Sequence, residues 1–248
     1  MLIRAAHAAA EAATRYIGGD LNVTHKPDDA GPVTAADLAA NTAIEDILRP
    51  ARPRYGWLSE ESAERTTGAS VFIIDPIDGT RSFIEGSSTW AHSLAIATQG
   101  TVTAAVVYLP MRDKIYTSAL GHGAFLNGAA IKATKARKAL GANILTTRPN
   151  LSDTHWPRGV PGFKRSHRPS LAYRLSLVAE GRYDAMFTFR PSWEWDIAAG
   201  SLIAAEAGAT LTTRTGEPLK FDNPTPQTDG VIAAAPDLHR DLMRYLTP

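Results

Sequence analysis

Residues 71–83, an apolar run that ends in two carboxylates, constrain the fold more than any other segment of the sequence. They read Val-Phe-Ile-Ile-Asp-Pro-Ile-Asp-Gly-Thr-Arg-Ser-Phe. The apolar residues predict a buried strand, and the end of a strand is where α/β proteins place polar groups that carry chemistry. Pro76 restricts its own backbone and that of Asp75, so we expect Asp75 and Asp78 to lie on a stiff turn. Paired carboxylates held in this way suit a hard divalent cation.

The residues that follow this pair predict an anion site beside the cation site. Gly79 permits a tight bend of the backbone. Thr80 and Arg81 then begin a predicted helix, where free backbone amides bind anions. One short segment is therefore expected to hold both a metal ion and a phosphate group.

Composition narrows the class of protein. The chain has 248 residues, of which 44% are hydrophobic and 21% charged, as expected for a globular enzyme. Its formal net charge of +1 argues against nucleic acid as the main partner, so we expect a small-molecule partner. The absence of cysteine excludes disulfides, thiolate metal sites and a cysteine nucleophile.

The amino-terminal residues 1–17 predict a surface helix. They are rich in alanine, and Arg4, His7, Glu11 and Arg15 recur at helical intervals, which interrupts any apolar core of a signal peptide. No segment has the uninterrupted apolar length that spans a bilayer, and neither end carries a lipidation pattern. We therefore expect no membrane partner and a cytoplasmic location.

The rest of the first half predicts a helix followed by an antiparallel sheet. Thr34 is expected to cap a second helix that ends near Leu48, stopped by two prolines. Short β-rich runs separated by turn signals extend from residue 93 to residue 131 and predict an antiparallel meander. We place the end of the first lobe near residue 133, which gives an N-terminal lobe of residues 1–133 and a C-terminal lobe of residues 134–248.

The second half predicts strands that alternate with helices, as in an α/β lobe. The expected strands are 142–147, 184–189, 210–213 and 230–234, and the expected helices are 170–180, 196–207 and 236–246.

Four acidic residues share one context, the end of a strand or the start of a helix: Glu60, Asp75, Asp78 and Asp196. Together they would surround magnesium with oxygen ligands. The sequence resembles the inositol monophosphatase superfamily, lithium-sensitive and magnesium-dependent phosphatases, in the segments Glu60-Glu61-Ser62, Asp75-Pro76-Ile77-Asp78-Gly79-Thr80 and Trp195-Asp196-Ile197-Ala198-Ala199-Gly200. Residues 33–37 and 121–128 extend the resemblance over nearly the whole chain.

This resemblance implies a fold and a set of metal ligands. The fold is an α/β layered sandwich of two lobes, in the order αβαβα, with the active site between the lobes. The implied ligands of two to three Mg²⁺ ions are Glu60, Asp75 and the carbonyl of Ile77 for one, Asp75, Asp78 and Asp196 for a second, and Asp37 and Glu61 for a weaker third.

The resemblance also implies the reaction, hydrolysis of a phosphate ester by a metal-activated water. Glu60 and Thr80 would orient the water, Asp78 would belong to the same catalytic set, and the amides of Gly79 and Thr80 would receive the phosphate. Members of the superfamily occur as monomers or homodimers, so both states remain open.

Structural alternatives exist for several of these residues. Asp196 and Thr80 could each cap a helix, and Asp37 could belong to a capping box. Glu60 and Glu61 could be solvated loop charges. Joint occurrence in the order of the family favours the functional interpretation for five residues: Glu60, Asp75, Asp78, Thr80 and Asp196. Both interpretations stay open for Asp37 and Glu61. We expect Trp90, Trp193 and Trp195 to pack around the site, and His92 to be structural rather than a ligand.

Substrate choice is expected to depend on the second lobe. Relatives that act on inositol phosphates usually carry a glutamate seven residues before the aspartate that begins the helix, whereas this chain has Phe189 there. Phe189 could pack against a sugar or base, which favours a nucleotide. Residues 170–174 resemble the corresponding segment of the bacterial 3'(2'),5'-bisphosphate nucleotidases, which implies that Ser170 and Arg174 lie at the substrate and that Arg174 binds a second phosphate. The alternative for Arg174 is an exposed residue of the helix.

Three hypotheses follow from these observations. The first is a magnesium-dependent phosphatase that removes the 3'-phosphate of adenosine 3',5'-bisphosphate. The alternative is an inositol-1-monophosphatase-like enzyme of broader specificity that also accepts 2'-AMP. The third is a weakly active homologue that binds RNA or protein in a regulatory role.

Overall fold

The computed structural model describes residues 1–26 and 31–246. Within these ranges the chain forms six α-helices: α1 (Leu2–Thr14), α2 (Ala35–Ala51), α3 (Thr80–Ile84), α4 (Leu171–Ala179), α5 (Glu194–Glu206) and α6 (Pro236–Leu246). The same ranges contain sixteen strands: β1 (Thr24–His25), β2 (Pro32–Val33), β3 (Gly56–Ser59), β4 (Ser70–Asp78), β5 (Ala91–Thr98), β6 (Thr101–Leu109), β7 (Lys114–Ala119), β8 (Ala124–Leu126), β9 (Ala129–Ile131), β10 (Asn143–Leu145), β11 (Lys164–Ser166), β12 (Ala185–Thr188), β13 (Ser192–Trp193), β14 (Thr210–Thr212), β15 (Gln227–Thr228) and β16 (Val231–Ala234).

Two large sheets organise these elements. The first has seven strands in the order β3-β4-β5-β6-β7-β8-β9; β3 and β4 are parallel, and all later neighbours are antiparallel. The predicted meander is therefore confirmed. The second sheet has five strands in the order β11-β10-β12-β16-β14, with β10 parallel to both of its neighbours and β16 antiparallel to both of its own.

The helices and sheets stack in five layers, as the resemblance implied. Side chains of β4 alternate between two cores: Phe72 and Ile74 face α1 and α2, whereas Val71 and Ile73 face α4 and α5. The core around α4 and α5 also takes in Met186 of the five-stranded sheet. The other face of that sheet packs against α6 and against Trp156 and its aromatic neighbours. The order is therefore αβαβα.

Some element boundaries differ from the sequence predictions. The helix expected to stop before Pro50 continues through Pro50 to Ala51, since a proline in the last turn removes only one hydrogen bond. The helix expected to begin at Asp196 begins two residues earlier, at Glu194. Asp75 and Asp78 do not lie on a turn after a strand, because both belong to β4.

The two lobes share their central helical layer. The chain leaves the first sheet after β9 and enters the second with β10. Since α4 and α5 pack on both sheets, the division at residues 1–133 and 134–248 stays a prediction. Within the described ranges, no helix combines the length and apolarity that crossing a membrane requires.

Candidate active site

A β-bulge in β4 places two aspartates side by side. In the pairing with β5, Asp75 lies opposite Ser93 and Asp78 opposite Ala91, so β4 has one residue more than its partner. In a regular strand, residues three apart would point to opposite faces, and the extra residue removes that alternation. Both aspartates consequently line one cavity. Pro76 fits the bulge because it has no N–H to pair.

Three carboxylates meet in this cavity and form what we call the carboxylate trio: Glu60, Asp75 and Asp196. One oxygen from each lies within 4.8 Å of the others. Glu60 directly follows β3, and its amide donates to the Ile74 carbonyl over 3.1 Å, so the parallel pair β3 and β4 brings Glu60 to Asp75. Asp196 enters from the first turn of α5, which begins after Trp193 and not with Asp196 as its cap.

The trio is electrostatically unfavourable without a cation. Burial raises the pKa of Asp75, and the charges of Glu60, Asp78 and Asp196 raise it further. Burial also raises the pKa of Asp196, with Asp78 and Glu60 as the next causes. Within the described residues, no hydrogen-bond donor reaches the buried Oδ1 of Asp75. Buried, mutually repelling carboxylate oxygens with an open lone pair fit a divalent cation.

Asp78 lies beside the trio but has different partners. Its Oδ2 accepts hydrogen bonds from Ser170 Oγ and from the Ala172 amide, both over 2.7 Å. Burial raises the pKa of Asp78 to about 6, and these two hydrogen bonds oppose the shift. Ser170 also caps α4 by accepting from the Tyr173 amide, so one hydroxyl fixes both the helix and the carboxylate. The predicted role of Asp78 as a ligand stays a prediction.

Asp37 holds Thr80 in the cavity wall. Its Oδ2 accepts from the amide and the hydroxyl of Thr34, which completes the capping box of α2. Its Oδ1 accepts from Thr80 Oγ1 over 3.1 Å, and the Ile77 carbonyl lies 3.2 Å from the same hydroxyl. The capping-box alternative for Asp37 is therefore confirmed. Gly79, with φ of 104°, caps α3, so Thr80 is the first helical residue and not the cap.

Lys26, which the sequence analysis did not single out, forms ion pairs with both glutamates. Its Nζ lies 2.7 Å from Glu60 and 2.6 Å from Glu61. Burial raises the pKa of Glu61 to about 7, and Lys26 opposes the shift. Glu61 is thus a paired carboxylate rather than a solvated loop charge. No sequence pattern indicated Lys26, since its acceptors lie 34 and 35 residues away.

Three arginines line the same cavity, which has a volume of about 340 Å³: Arg81, Arg174 and Arg190. Arg174 is the buried one, with 8% of its surface exposed. Its guanidinium donates to the Arg168 carbonyl and lies 2.8 Å from His167 Nε2, neither of which carries a negative charge. Burial lowers the pKa of Arg174 to about 10. The nearby charges of Asp78 and Asp196 oppose this shift of the pKa of Arg174. Because the hydrogen bonds of the guanidinium go to neutral acceptors, the buried cation can still pair with an anionic ligand.

The structure corrects the interpretation of Phe189. Its ring is 4% exposed, stacks on Phe187 at 4.9 Å and packs 5.7 Å from Trp156, in the core under α6. The ring therefore does not pack against a ligand in the cavity. Arg190, the next residue, lines the cavity instead.

The tryptophans divide between core and cavity. Trp90 is 1% exposed, as predicted for a packing residue. Trp193 lines the cavity and stacks on Trp195 at 4.7 Å, so it packs around the site as predicted, but it is 37% exposed rather than buried. His92 is fully buried with Nδ1 against the Pro76 carbonyl, which confirms a structural role.

Comparison with known proteins decides the family. The model of the inositol monophosphatase family matches residues 1–247. The chain belongs to this family. It is 39% identical to an inositol-1-monophosphatase of Rhizobium meliloti, over 74% of this chain and 73% of the relative. It is 35% identical to the Nus factor SuhB of Escherichia coli, over 74% and 72%. An IMPase structure from Thermotoga maritima superposes with a TM-score of 0.86 at 26% identity, covering 99% of this chain and 94% of that one.

Membership in the inositol monophosphatase family makes the chain a phosphatase, a hydrolase of phosphate esters, and confirms the resemblance seen in the sequence. The similarity does not single out the bisphosphate nucleotidase branch. Among the predicted site residues, the structure brings Glu60, Asp75, Ile77, Asp78, Gly79, Thr80, Ser170, Arg174 and Asp196 to one cavity. Asp37 and Glu61 lie behind its wall, and Phe189 lies in the core.

Proposed function

We propose that the chain is a Mg²⁺-dependent phosphomonoesterase of the inositol-1-monophosphatase type, acting on polyol monophosphates such as inositol 1-phosphate. The observation that carries this proposal is the carboxylate trio in the cavity. Similarity to relatives named inositol-1-monophosphatase supports a polyol phosphate as the substrate. The alternative of the sequence analysis thereby becomes the leading hypothesis, and the nucleotide becomes the second.

Glu60, Asp75 and Asp196 would hold the first ion, and Asp78 would extend the set through the oxygen that Ser170 and Ala172 leave free. The Ile77 carbonyl lines the same cavity. Bound Mg²⁺ would acidify a water molecule and stabilise the negative charge that develops on the leaving ester oxygen.

Thr80 would orient the attacking water. A hydroxyl has one proton, and Thr80 can donate it to Asp37 or to the Ile77 carbonyl. The lone pairs of its Oγ1 then remain to accept a proton from water. Asp37 is fixed in turn by Thr34, so it would act by holding the Thr80 hydroxyl in this orientation. Glu60, on the other side, would accept the second proton of the water.

A phosphate-release panel tests the proposal. Purified protein is assayed with inositol 1-phosphate, 2'-AMP, adenosine 3',5'-bisphosphate, fructose 1,6-bisphosphate and histidinol phosphate, each with Mg²⁺ and with a chelator. We expect the highest kcat/KM for inositol 1-phosphate and no release with the chelator. Asp75→Asn is the matched control, because it keeps the size of the side chain and removes its charge. Hydrolysis that persists in the chelator or in Asp75→Asn would contradict the proposal.

The second candidate, 3'-dephosphorylation of adenosine 3',5'-bisphosphate, is favoured by the buried Arg174 and by Arg190 in the cavity wall. A second phosphate would pair with these cations, and the exposed ring of Trp193 could stack on a base. Phe189 no longer supports this candidate. A kcat/KM for the bisphosphate at least equal to that for inositol 1-phosphate would make 3'-dephosphorylation the leading function.

The third hypothesis, a weakly active regulatory homologue, stays a prediction. A complete absence of hydrolysis in the panel would favour this third hypothesis.

A further inference from the structure

Glu194 is a buried carboxylate that does not line the cavity. It is 0% exposed and begins α5, two residues before Asp196 of the trio. Its oxygens accept hydrogen bonds from the Asp222 amide over 2.7 Å, from the Asn223 amide over 2.9 Å and from Asn223 Nδ2 over 2.7 Å. A carboxylate is buried at considerable cost unless it is fully hydrogen-bonded, and Glu194 meets that condition through Asp222 and Asn223, which belong to the short segment of residues 222–224.

Arg65, in the connection between β3 and β4, binds the same segment. Its Nη1 donates to the carbonyls of Asn223 over 2.7 Å and of Pro224 over 3.0 Å, and its Nη2 pairs with Asp222 Oδ1 over 2.7 Å. The backbone beside Arg65 is itself fixed, because Thr66 and Trp57 of β3 exchange hydrogen bonds of 2.9 and 3.0 Å. Arg65 therefore ties the segment to β3, the strand that positions Glu60.

These contacts form a continuous path between two members of the trio. The path runs from Glu60 through β3 to Arg65, across residues 222–224 to Glu194, and along the first turn of α5 to Asp196. Ser93 Oγ, which donates to the Trp195 carbonyl over 2.8 Å, and the core face of α5 hold the helix independently. Loss of the path would leave α5 in place and remove one of the two ties on its first turn, because Ser93 would still bind the Trp195 carbonyl.

We propose that Arg65, residues 222–224 and Glu194 act as a clamp that sets the separation of Glu60 and Asp196 and so determines how tightly the trio binds a divalent cation. This inference rests on the cation site of the proposed function. The clamp residues are positioning residues, since none of them reaches the cavity. Groups that orient ligands in this indirect way commonly change metal affinity by about 10- to 100-fold when they are lost.

The test measures cation binding directly. Metal-free wild type, Arg65→Met and Glu194→Gln are titrated with Mg²⁺ and Mn²⁺ by calorimetry, and the thermal unfolding of each metal-free protein is recorded. We expect the Kd for the cation to rise about tenfold in both variants. Arg214→Met is the matched control, because it removes an exposed pair of 2.9 Å with Asp229 that does not reach α5, and its Kd should equal that of the wild type.

Two further variants separate a clamp from a general loss of stability. The double variant should raise the Kd by less than the product of the single effects, because both changes break one path. Arg65→Lys should restore part of the affinity.

A lower melting temperature with an unchanged Kd in Arg65→Met would overturn the proposal, and so would a Kd that rises equally in Arg214→Met. If Glu194→Gln does not fold, Arg65→Met decides, since Arg65 is 28% exposed. The titration needs no substrate, so an error in the proposed substrate leaves its result intact.

Discussion

Burial disfavours the charged form of the cavity carboxylates. This property of single residues predicts how the stability of the metal-free protein depends on pH. The pKa of Asp78 is raised from 3.8 to about 6 and that of Glu61 from 4.5 to about 7. The folded state therefore binds more protons than the unfolded state between the ordinary and the raised values. This contribution to stability is present below the ordinary pKa values and is lost as the pH rises through the raised ones.

We accordingly expect the melting temperature of the metal-free protein to fall by about 3 °C or more between pH 5 and pH 8. Asp78→Asn should flatten this dependence, because the amide has no proton to lose. Saturating Mg²⁺ should flatten it as well, since a cation compensates the charges. Calorimetric scans in a chelator, repeated at intervals of pH, measure the slope. A melting temperature that rises over this range would show that these groups do not control it.

The position of Phe189 in the structure removes one reason to expect a nucleotide substrate. The sequence interpretation expected a glutamate at this position to create a polyol site, but Phe189 stacks on Phe187 in the core. Phe189→Glu should therefore bury a carboxylate among aromatic rings and destabilise the fold by more than about 3 kcal/mol. Thermal unfolding measures this, with Phe189→Leu as the apolar control. A Phe189→Glu protein of normal stability with an increased preference for inositol phosphates would restore the original interpretation.

The sequence predicted which acidic residues come together, because the order of the motifs along the chain identifies them. Glu60, Asp75 and Asp196 were predicted from their segments, and they meet within 4.8 Å. The sequence analysis misplaced Phe189, although it directly follows β12 and lies two residues after Phe187, a spacing that puts both rings on one face of an extended chain. Lys26 and Arg190 were missed because a single charged residue in a loop carries no pattern, and only the tertiary structure shows what it faces.

At the scale of elements, Ser170 links the start of α4 to Asp78 in the cavity, and these two contacts can be separated. Ser170 has φ of 64°, a conformation that glycine adopts freely and alanine does not. Ser170→Ala and Ser170→Gly both lose the hydrogen bond to Asp78, but only the glycine relieves the backbone. We expect the alanine variant to be less stable than the glycine variant by about 1 kcal/mol.

Turnover should fall to a similar extent, about tenfold, in both Ser170 variants, since each leaves Asp78 with the same missing partner. Urea unfolding gives the stability difference, and steady-state kinetics at saturating Mg²⁺ give kcat. Ser170→Thr keeps the hydroxyl but is β-branched and therefore strained at this φ, so it should lose stability and still retain most of the turnover. If kcat followed stability across the three variants, Ser170 would act only as a helix cap.

The boundaries of elements were harder to predict than their existence. The capping box at Thr34 was predicted and is present, because it depends on residues only three apart. The bulge in β4 was read as a turn, because the sequence of one strand does not show the register of its partner. The first turn of α5 was missed for a similar reason, since Glu194 is held by residues 222–223, which lie far away in the chain.

At the scale of the whole molecule, a single helical layer, formed by α4 and α5, packs against both large sheets. Val71 and Ile73 of the first sheet and Met186 of the second belong to the same core, which α4 and α5 fill between them. The sequence predicted the order of layers through its resemblance to a family. The strand and helix patterns alone did not show that the two lobes would share these helices, because periodicity identifies a buried face without identifying what covers it.

The shared layer predicts that residues 1–133 do not fold alone. A fragment that ends there keeps α1 and α2 on one face of the seven-stranded sheet but loses α4 and α5 from the other, which exposes the apolar face that carries Val71, Ile73 and Val107. We expect this fragment to aggregate or to lack cooperative unfolding, whereas the metal-free full chain should unfold in a single transition whose calorimetric and van't Hoff enthalpies agree. Circular dichroism and calorimetry of both proteins test this. Two separate transitions in the full chain, or a cooperatively folded fragment, would show that the division at residue 133 marks independent domains.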